Sequence, residues 1–414
     1  MKRRDFIINS ALVLGATTIF GGCTSENAIN TVSKNTSIIP DNALQVARRK
    51  FKNLSIPLLG FGCMRFPTKG DEIDLPELEK MVDYAMACGV NFFDTAHFYM
   101  QGRSETTMGE MLKKYDRSSY FLSTKNPIKL LESKNDVLKI FDGQLKKCQT
   151  DYFDFYMAHN INKDTIENYK KFDVYKQLLP KKQEGKIKNL GFSFHGDVDM
   201  LKEIVKERDW DFCMLQLNYY DWDVSRVGEM YEIATKANIP IMVMEPLRGG
   251  GLCALTPAAQ TLLEKHCPNE TPTSYALRWL ASKENVFTIL SGMSKFEHVK
   301  ENIDTLSTSY KPLTSDQEAL SKKLVELIRA QGEVDCTVCK YCIDTCPRGV
   351  NIPEIFAMYN TYKIFRNSHL LTRAYEGLKK SERIDRCIDC GACISHCPKG
   401  LNIPKILRQV QNEL

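Results

Sequence analysis

The sequence has little net charge: 56 Lys and Arg against 51 Asp and Glu leave +5 over 414 residues. The excess is mild and no long basic run concentrates it, which argues against nucleic acid as a partner. Outside the N-terminus, no apolar stretch approaches the length a membrane-spanning helix requires. Cysteine, by contrast, is abundant. Of 15 cysteines, eight fall in two short runs, "CTVCKYCIDTCP" at 336–347 and "CIDCGACISHCP" at 387–398. Cys23, Cys63, Cys88, Cys148, Cys213, Cys253 and Cys267 are scattered; apart from Cys23 they read as small buried hydrophobes. A hydrophobic content of 43% over this length supports one large core and a smaller second unit.

The first 45 residues read as an address. Arg3 and Arg4 precede Asp5, Phe6 and Ile7, and a moderately apolar run continues to Phe20. The arginine pair resembles a twin-arginine export signal. Gly21 and Gly22 directly before Cys23 resemble a lipoprotein processing site with Cys23 lipidated, although Phe20 is bulkier than the aliphatic residue usual there. Residues 24–45, rich in Ser, Thr and Asn, suit a flexible tether. The expectation is a signal over 1–23 and a protein exported to the periplasmic or extracytoplasmic face of the membrane, where lipidated Cys23 would hold it.

Between residues 46 and 328, strand-like runs alternate with amphipathic helical ones. The strands are expected at 58–64, 90–96, 120–125, 153–159, 189–194, 212–218, 239–245 and 287–292. Between the first two, "LPELEKMVDYAMACG" (75–89) places Leu78, Met81, Val82, Ala85 and Met86 on one helical face, with Gly89 as its stop. Strict alternation implies parallel pairing, and eight such units close into a (β/α)8 TIM barrel of the α/β class. In such a barrel, chemistry sits where strands end. Asp94 ends the second strand with Tyr99 in its loop, Lys125 ends the third, and His159 ends the fourth. A phenol is a reluctant acid at neutral pH, and a cation beside it lowers its pKa. Tyr99 would therefore donate a proton, Lys125 would tune it, Asp94 would fix Lys125, and His159 would orient a carbonyl. Read otherwise, the four form a polar network that only holds the barrel mouth together.

These residues, with "GFGCMR" (60–65), "FDTAHFY" (93–99), "SE" (104–105), "STK" (123–125), "DYFDFYMAH" (151–159), "GFS" (191–193) and "QLNYY" (216–220), resemble the aldo/keto reductases over nearly the whole barrel. The resemblance implies hydride transfer between a nicotinamide nucleotide and a small carbonyl or alcohol. It places Ser193 and Gln216 on the nucleotide's carboxamide. Met244, Pro246, Leu247, Arg248 and Gly249, after strand seven, would lie along the nucleotide, the glycines and Arg248 meeting the pyrophosphate. Ser291, Gly292, Lys295 and His298, after strand eight, would meet the adenosine phosphates, with Glu301 and Asn302 on adenine. The chain departs from the family at Met244, where an aromatic residue is common, and at Phe194, where asparagine is usual. It offers Gly292, His298 and Lys295 where many members carry Lys or Arg against the 2′-phosphate, so NADP and NAD both stay open.

The spacing C-x2-C-x2-C-x3-C-P, present twice, is that of bacterial ferredoxins with two [4Fe–4S] clusters. Structural zinc favours two C-x2-C pairs further apart. The resemblance implies a crossed arrangement: Cys336, Cys339 and Cys342 with Cys397, and Cys387, Cys390 and Cys393 with Cys346. The repeat continues past the cysteines, "RGVNIPEIF" (348–356) matching "KGLNIPKIL" (399–407), each opening a short helix near a proline. Residues 329–414 thus form a small α-rich ferredoxin-like iron–sulfur domain.

Hydride carries two electrons while a cluster ordinarily passes one, and the sequence shows no flavin motif to convert between them. The clusters are then structural or serve a redox partner protein. Two functions remain: an exported oxidoreductase, or an iron–sulfur electron-transfer protein whose barrel is a docking module. Tyr219, Tyr220 and Trp222 would line a substrate pocket or pack as loop residues. His97 and His195 face the mouth or are structural.

Overall fold

The computed structural model describes residues 44–330, Val334, Cys336, 340–365 and 368–414. Arg3, Arg4, Cys23 and Cys339 lie outside the described residues, so the expected signal, the tether up to residue 43 and one cluster ligand do too. Eight strands close into a parallel barrel: β1 (Leu59–Gly62), β2 (Phe92–Asp94), β3 (Phe121–Asn126), β4 (Phe153–Ile161), β5 (Ile187–Phe194), β6 (Phe212–Gln216), β7 (Ile241–Met244) and β8 (Val286–Ser291). Each expected strand is present, and their order in space is their order in sequence.

Alternation along the strands, interrupted where β7 and β8 shift register at Phe287, explains the closure. Phe92, Phe155, Met157, Phe212, Met214, Met242, Phe287 and Leu290 fill the lumen. Their neighbours, such as Phe93, Leu122 and Tyr156, belong to the larger core against the helices. A hairpin of Arg48–Phe51 and Leu54–Pro57 closes the lower end. Its Phe51 lies 4.6 Å from Phe287 and 5.2 Å from Phe155, ring centroid to centroid. Arg49 fixes the hairpin through the carbonyls of Ala281, Lys283 and Val286.

The first outer helix runs over Leu75–Ala87 with Pro76 in its first turn. Leu78, Met81, Val82, Tyr84 and Ala85 are buried, and Gly89 has φ +78°, a conformation that ends a helix cheaply only without a side chain. Cys63, Cys88, Cys148, Cys213 and Cys267 are buried as expected; Cys253 is not, and stands exposed after three consecutive glycines. No helix among the described residues is long and apolar enough to cross a membrane.

Helix Ser315–Arg329 returns to the barrel core through Leu320, Leu324 and Ile328. Beyond it a separate core gathers Val350, Ile352, Ile355, Phe356, Tyr359, Ile403, Leu407 and Val410 around Cys342 and Cys393. Its helices Ile352–Phe365 and Ile403–Asn412 start at the two copies of the repeated Asn-Ile-Pro. Helix Ile352–Phe365 also lies against the barrel loop Arg248–Cys253.

Candidate active site and cysteine-lined cavities

Parallel pairing sets the ends of β1, β2 and β3 side by side: Gly62 pairs with Asp94, and Asp94 with Ser123. Lys125, two residues further on, is buried, and its Nζ donates to Asp94 Oδ2 at 2.6 Å and to the Thr95 carbonyl at 2.7 Å. Ser123 Oγ donates to the other carboxylate oxygen of Asp94 at 2.9 Å. The ammonium lies 4.7 Å from the centroid of the Tyr99 ring. Burial works against the Lys125 charge, but Asp94 and Tyr99 outweigh it and hold the ammonium's pKa above its ordinary value.

Tyr99 differs from the sequence expectation. Burial pushes its phenol above the ordinary value, and the Lys125 charge opposes this without overcoming it. The sequence displays the cation but not the desolvation, which here is larger. His159 stands 6.4 Å from Tyr99, ring to ring, with its Nδ1 buried and without a hydrogen-bond partner among the described residues. Burial first, then the charges of Lys125, His195 and His97, hold its pKa well below the usual imidazole range, so it is neutral. His97 and His195 are also lowered, chiefly by burial, and the Nδ1 of His97 is buried and unpartnered among the described residues.

The expected nucleotide residues sit on the same rim. Ser193 Oγ accepts from the backbone N–H of Asn160 at 2.7 Å. Gln216 and Met244 pair across β6 and β7. Gln216 Nε2 donates to Asp221 Oδ2 at 3.2 Å, and Asn218 Nδ2 to the same oxygen at 2.9 Å. Arg248 Nε meets both oxygens of Asp221 at 3.2 Å, and its guanidinium lies 4.7 Å from the Tyr220 ring centroid. Buried Asp221, absent from the sequence reading, thus ties two expected nucleotide contacts together; its only sequence signal is an acid directly after the Tyr-Tyr pair.

Buried Pro246 and the Leu247 carbonyl, which accepts from Gly250 and Leu252, shape the loop after β7. Glu245, Arg248, Gly249 and Gly250 in that loop all have positive φ, as do Met100 and Gln101 after Tyr99 and Asn160 after His159. Left-handed non-glycine residues are costly and cluster where structure serves a site. Arg65 is a second residue missed by the sequence reading. It lies along Gly292, where an added Cβ would come within 3.4 Å of its Cδ, and reaches Gly249 and Glu245, the carboxylate at 3.8 Å. It spans the two loops expected to hold phosphates. A cradle of side-chain-free backbone beside a guanidinium fits a dinucleotide.

Lys295 precedes helix Phe296–Thr305, and His298 Nδ1 accepts from the Ser294 N–H at 3.4 Å. Glu301 accepts from Thr271 Oγ1 at 2.8 Å. Asn302 is buried with its amide donating to Ser291 Oγ at 2.9 Å, so its side chain braces β8 against the helix. Tyr219 and Trp222 do not line the mouth. Tyr219 packs on Tyr275 and Trp279, and Trp222 on Trp279 and Tyr231, within the helical layer. An aromatic residue after a strand can serve either layer, and here the outer helices take both.

The cysteines of the C-terminal domain line two cavities. One is bounded by Cys346, Cys387, Cys390 and Cys393; the other by Cys336, Cys342 and Cys397. Each therefore mixes cysteines from both sequence motifs. No three His, Cys, Asp or Glu among the described residues stand close enough to hold a single metal ion. Thiols around a shared hollow suit a cube of irons, each corner taking its own sulfur.

A model of the aldo/keto reductase family matches residues 58–325, and a model of a 4Fe-4S dicluster domain matches residues 335–401. The oxidoreductase YqkF of Bacillus subtilis is 25% identical over 61% of this chain and 87% of its own length. An NADH-specific methylglyoxal reductase of Escherichia coli is 26% identical over 59% of this chain and 86% of its own. The holo form of an aldo-keto reductase from Bacillus halodurans superposes with a TM-score of 0.57 at 25% identity, covering 68% of this chain and 96% of that one.

Proposed function

Because the chain belongs to the aldo/keto reductase family and carries a 4Fe-4S dicluster domain, we propose that Tyr99, Lys125, Asp94 and His159 reduce a small carbonyl, or oxidise the matching alcohol, at the barrel mouth of an exported enzyme. The observation that carries this is the buried Lys125 ammonium, bonded to Asp94 and lying over the Tyr99 ring. The substrate class is an aldehyde, ketone or sugar, in keeping with the methylglyoxal reductase among the relatives.

A nicotinamide nucleotide, NADP or NAD, supplies or accepts the hydride. Ser193, Gln216 and Met244 would lie beside its carboxamide, and Gly249, Gly292, Arg248 and Arg65 beside its phosphates. Tyr99 gives a proton to the carbonyl oxygen as negative charge develops there. Lys125 favours the departing phenolate, and Asp94 keeps Lys125 charged. His159, being neutral, holds the oxygen by a hydrogen bond without adding charge.

Two four-iron clusters would sit in the cysteine-lined cavities, the crossed sets of Cys336, Cys339, Cys342 with Cys397 and of Cys387, Cys390, Cys393 with Cys346. They hold the tail together or pass electrons to a redox partner protein. The twin-arginine signal, which carries folded proteins, suits clusters inserted before export. Lipidated Cys23 would tether the enzyme, two or more acyl chains being needed for stable anchoring.

Anaerobic purification followed by iron, sulfide and nucleotide analysis tests the cofactors. Mixing the nucleotide-loaded protein with a panel of aldehydes, ketones and sugars tests the reaction. Protein that binds nucleotide but oxidises it with no carbonyl on the panel would favour the electron-transfer role.

A further inference from the structure

Tyr99 and Lys125 come from different elements, and the proton chemistry depends on the distance between them. Tyr99 stands on a turn with two left-handed residues, Met100 and Gln101, directly after it. The chain then enters helix Ser104–Leu112, whose first two residues are buried and bonded to the strand ends. Ser104 Oγ donates to the Cys63 carbonyl at 2.8 Å and lies 2.8 Å from Thr95 Oγ1; the Thr95 carbonyl in turn accepts from Lys125. Glu105, fully buried, accepts from Thr124 Oγ1 at 2.8 Å and from Gln144 Nε2 at 2.5 Å. Gln144 Nε2 also donates to the backbone carbonyl of Lys125 at 2.9 Å, and its Oε1 accepts from Tyr156 at 2.6 Å. Lys147 Nζ, 3.5 Å away, is the cation that faces Glu105.

We propose that Glu105 and Gln144 are positioning residues: they clamp the segment that carries Tyr99 to the strand that carries Lys125. Glu105 lies six residues after Tyr99 and grips Thr124, the residue before Lys125. Gln144, from helix Lys134–Lys147, grips both Glu105 and Lys125 itself. Neither touches the reacting atoms. The clamp matters because the ammonium reaches the phenol through its field and a hydrogen bond, and both weaken as the two move apart. If the ammonium retreats by about 1 Å, at an effective dielectric of about 20, the phenol's midpoint rises by about half a pH unit, threefold in its ionisation constant.

The inference rests on the proposed roles of Tyr99 and Lys125, and its test separates the two. 3-Fluorotyrosine placed at position 99 of the full-length, cluster-loaded protein lets the ionisation of that one phenol be followed by fluorine NMR without knowledge of the substrate. Lys125→Met should raise the midpoint; no change there would overturn the role of Lys125 itself. Gln144→Met keeps the length and removes the amide, and Thr124→Val keeps the shape and removes the hydroxyl. Each should raise the midpoint by about half a unit, threefold in the ionisation constant. If Lys125→Met raises the midpoint and both clamp variants, folded by circular dichroism, leave it where it was, the clamp is only structural and the proposal fails. Should Gln144→Met fail to fold, Thr124→Val decides alone.

Discussion

Lys125 meets its two partners differently: it bonds Asp94 at 2.6 Å, but it approaches Tyr99 from above the ring, 4.7 Å from the centroid. The acid partner fixes the charge; the phenol feels it. Removing either end should therefore have different consequences.

Tyr99→Phe keeps the packing and deletes the proton donor. Turnover of a carbonyl should fall by roughly 10²–10⁴-fold while nucleotide affinity stays within about twofold, because the lost interaction belongs to the transition state. Single-turnover mixing and a fluorescence titration measure the two quantities. Lys125→Met should act in the same direction and should also cost about 3–5 kcal/mol of stability, since Asp94 is left buried without its cation. The two rate losses should not add, as both pass through one proton transfer.

The pH dependence has a definite sign. Reduction needs the protonated phenol, and burial holds the Tyr99 pKa above its ordinary value. Reduction should therefore persist through neutral and mildly alkaline pH and fall only as pH rises through the raised pKa. Oxidation of the alcohol needs the phenolate and should climb with pH over the same interval. His159 is held well below the usual imidazole range, so neither direction should show an inflection near pH 6.5. A clear inflection there in kcat profiles would contradict a neutral His159.

The crossed cavities predict a pattern of cysteine losses. The anaerobic protein should carry about eight irons and eight sulfides. Cys346→Ser and Cys387→Ser line the same cavity, so the double variant should lose no more iron than either single one, about half. Cys346→Ser combined with Cys336→Ser should lose nearly all of it. Additive losses in the first pair would show that the motifs act separately.

Asp221→Asn removes the charge that Arg248 meets and weakens the anchor of Gln216. Nucleotide affinity should drop about tenfold, some 1.4 kcal/mol, by calorimetric titration. Thermal stability should fall as well, by about 1–3 kcal/mol for the disturbed buried bonds.

The strands were legible in the sequence because they follow from periodicity, and with them the positions of Asp94, Lys125 and His159, since a residue near the end of a parallel strand is placed by the strand; Tyr99, on the loop after Asp94, is not placed this way. Asp221, Arg65, Glu105 and Gln144 were not legible, because each acts across elements distant in sequence. The same limit explains Tyr219 and Trp222, whose side of the barrel wall depends on Trp279 and Tyr275 more than fifty residues later. It explains the phenol too, since a neighbouring lysine is visible in a motif and the depth of burial is not. The repeated Asn-Ile-Pro did place both tail helices, because the cue is local.

The hairpin under the barrel makes the site a blind alley. With Phe51 wedged among Phe155, Phe212 and Phe287, nothing can leave by the floor. Whichever reactant lies deeper must arrive first and depart last. A nucleotide spread across the rim between Arg65 and Arg248 and a carbonyl standing over Tyr99 share one doorway, so turnover should be a queue with a fixed order. Because each carbonyl reduced spends the bound hydride, a nucleotide held at the bottom of this queue would serve again in place only if an alcohol followed through the same doorway and returned a hydride to it.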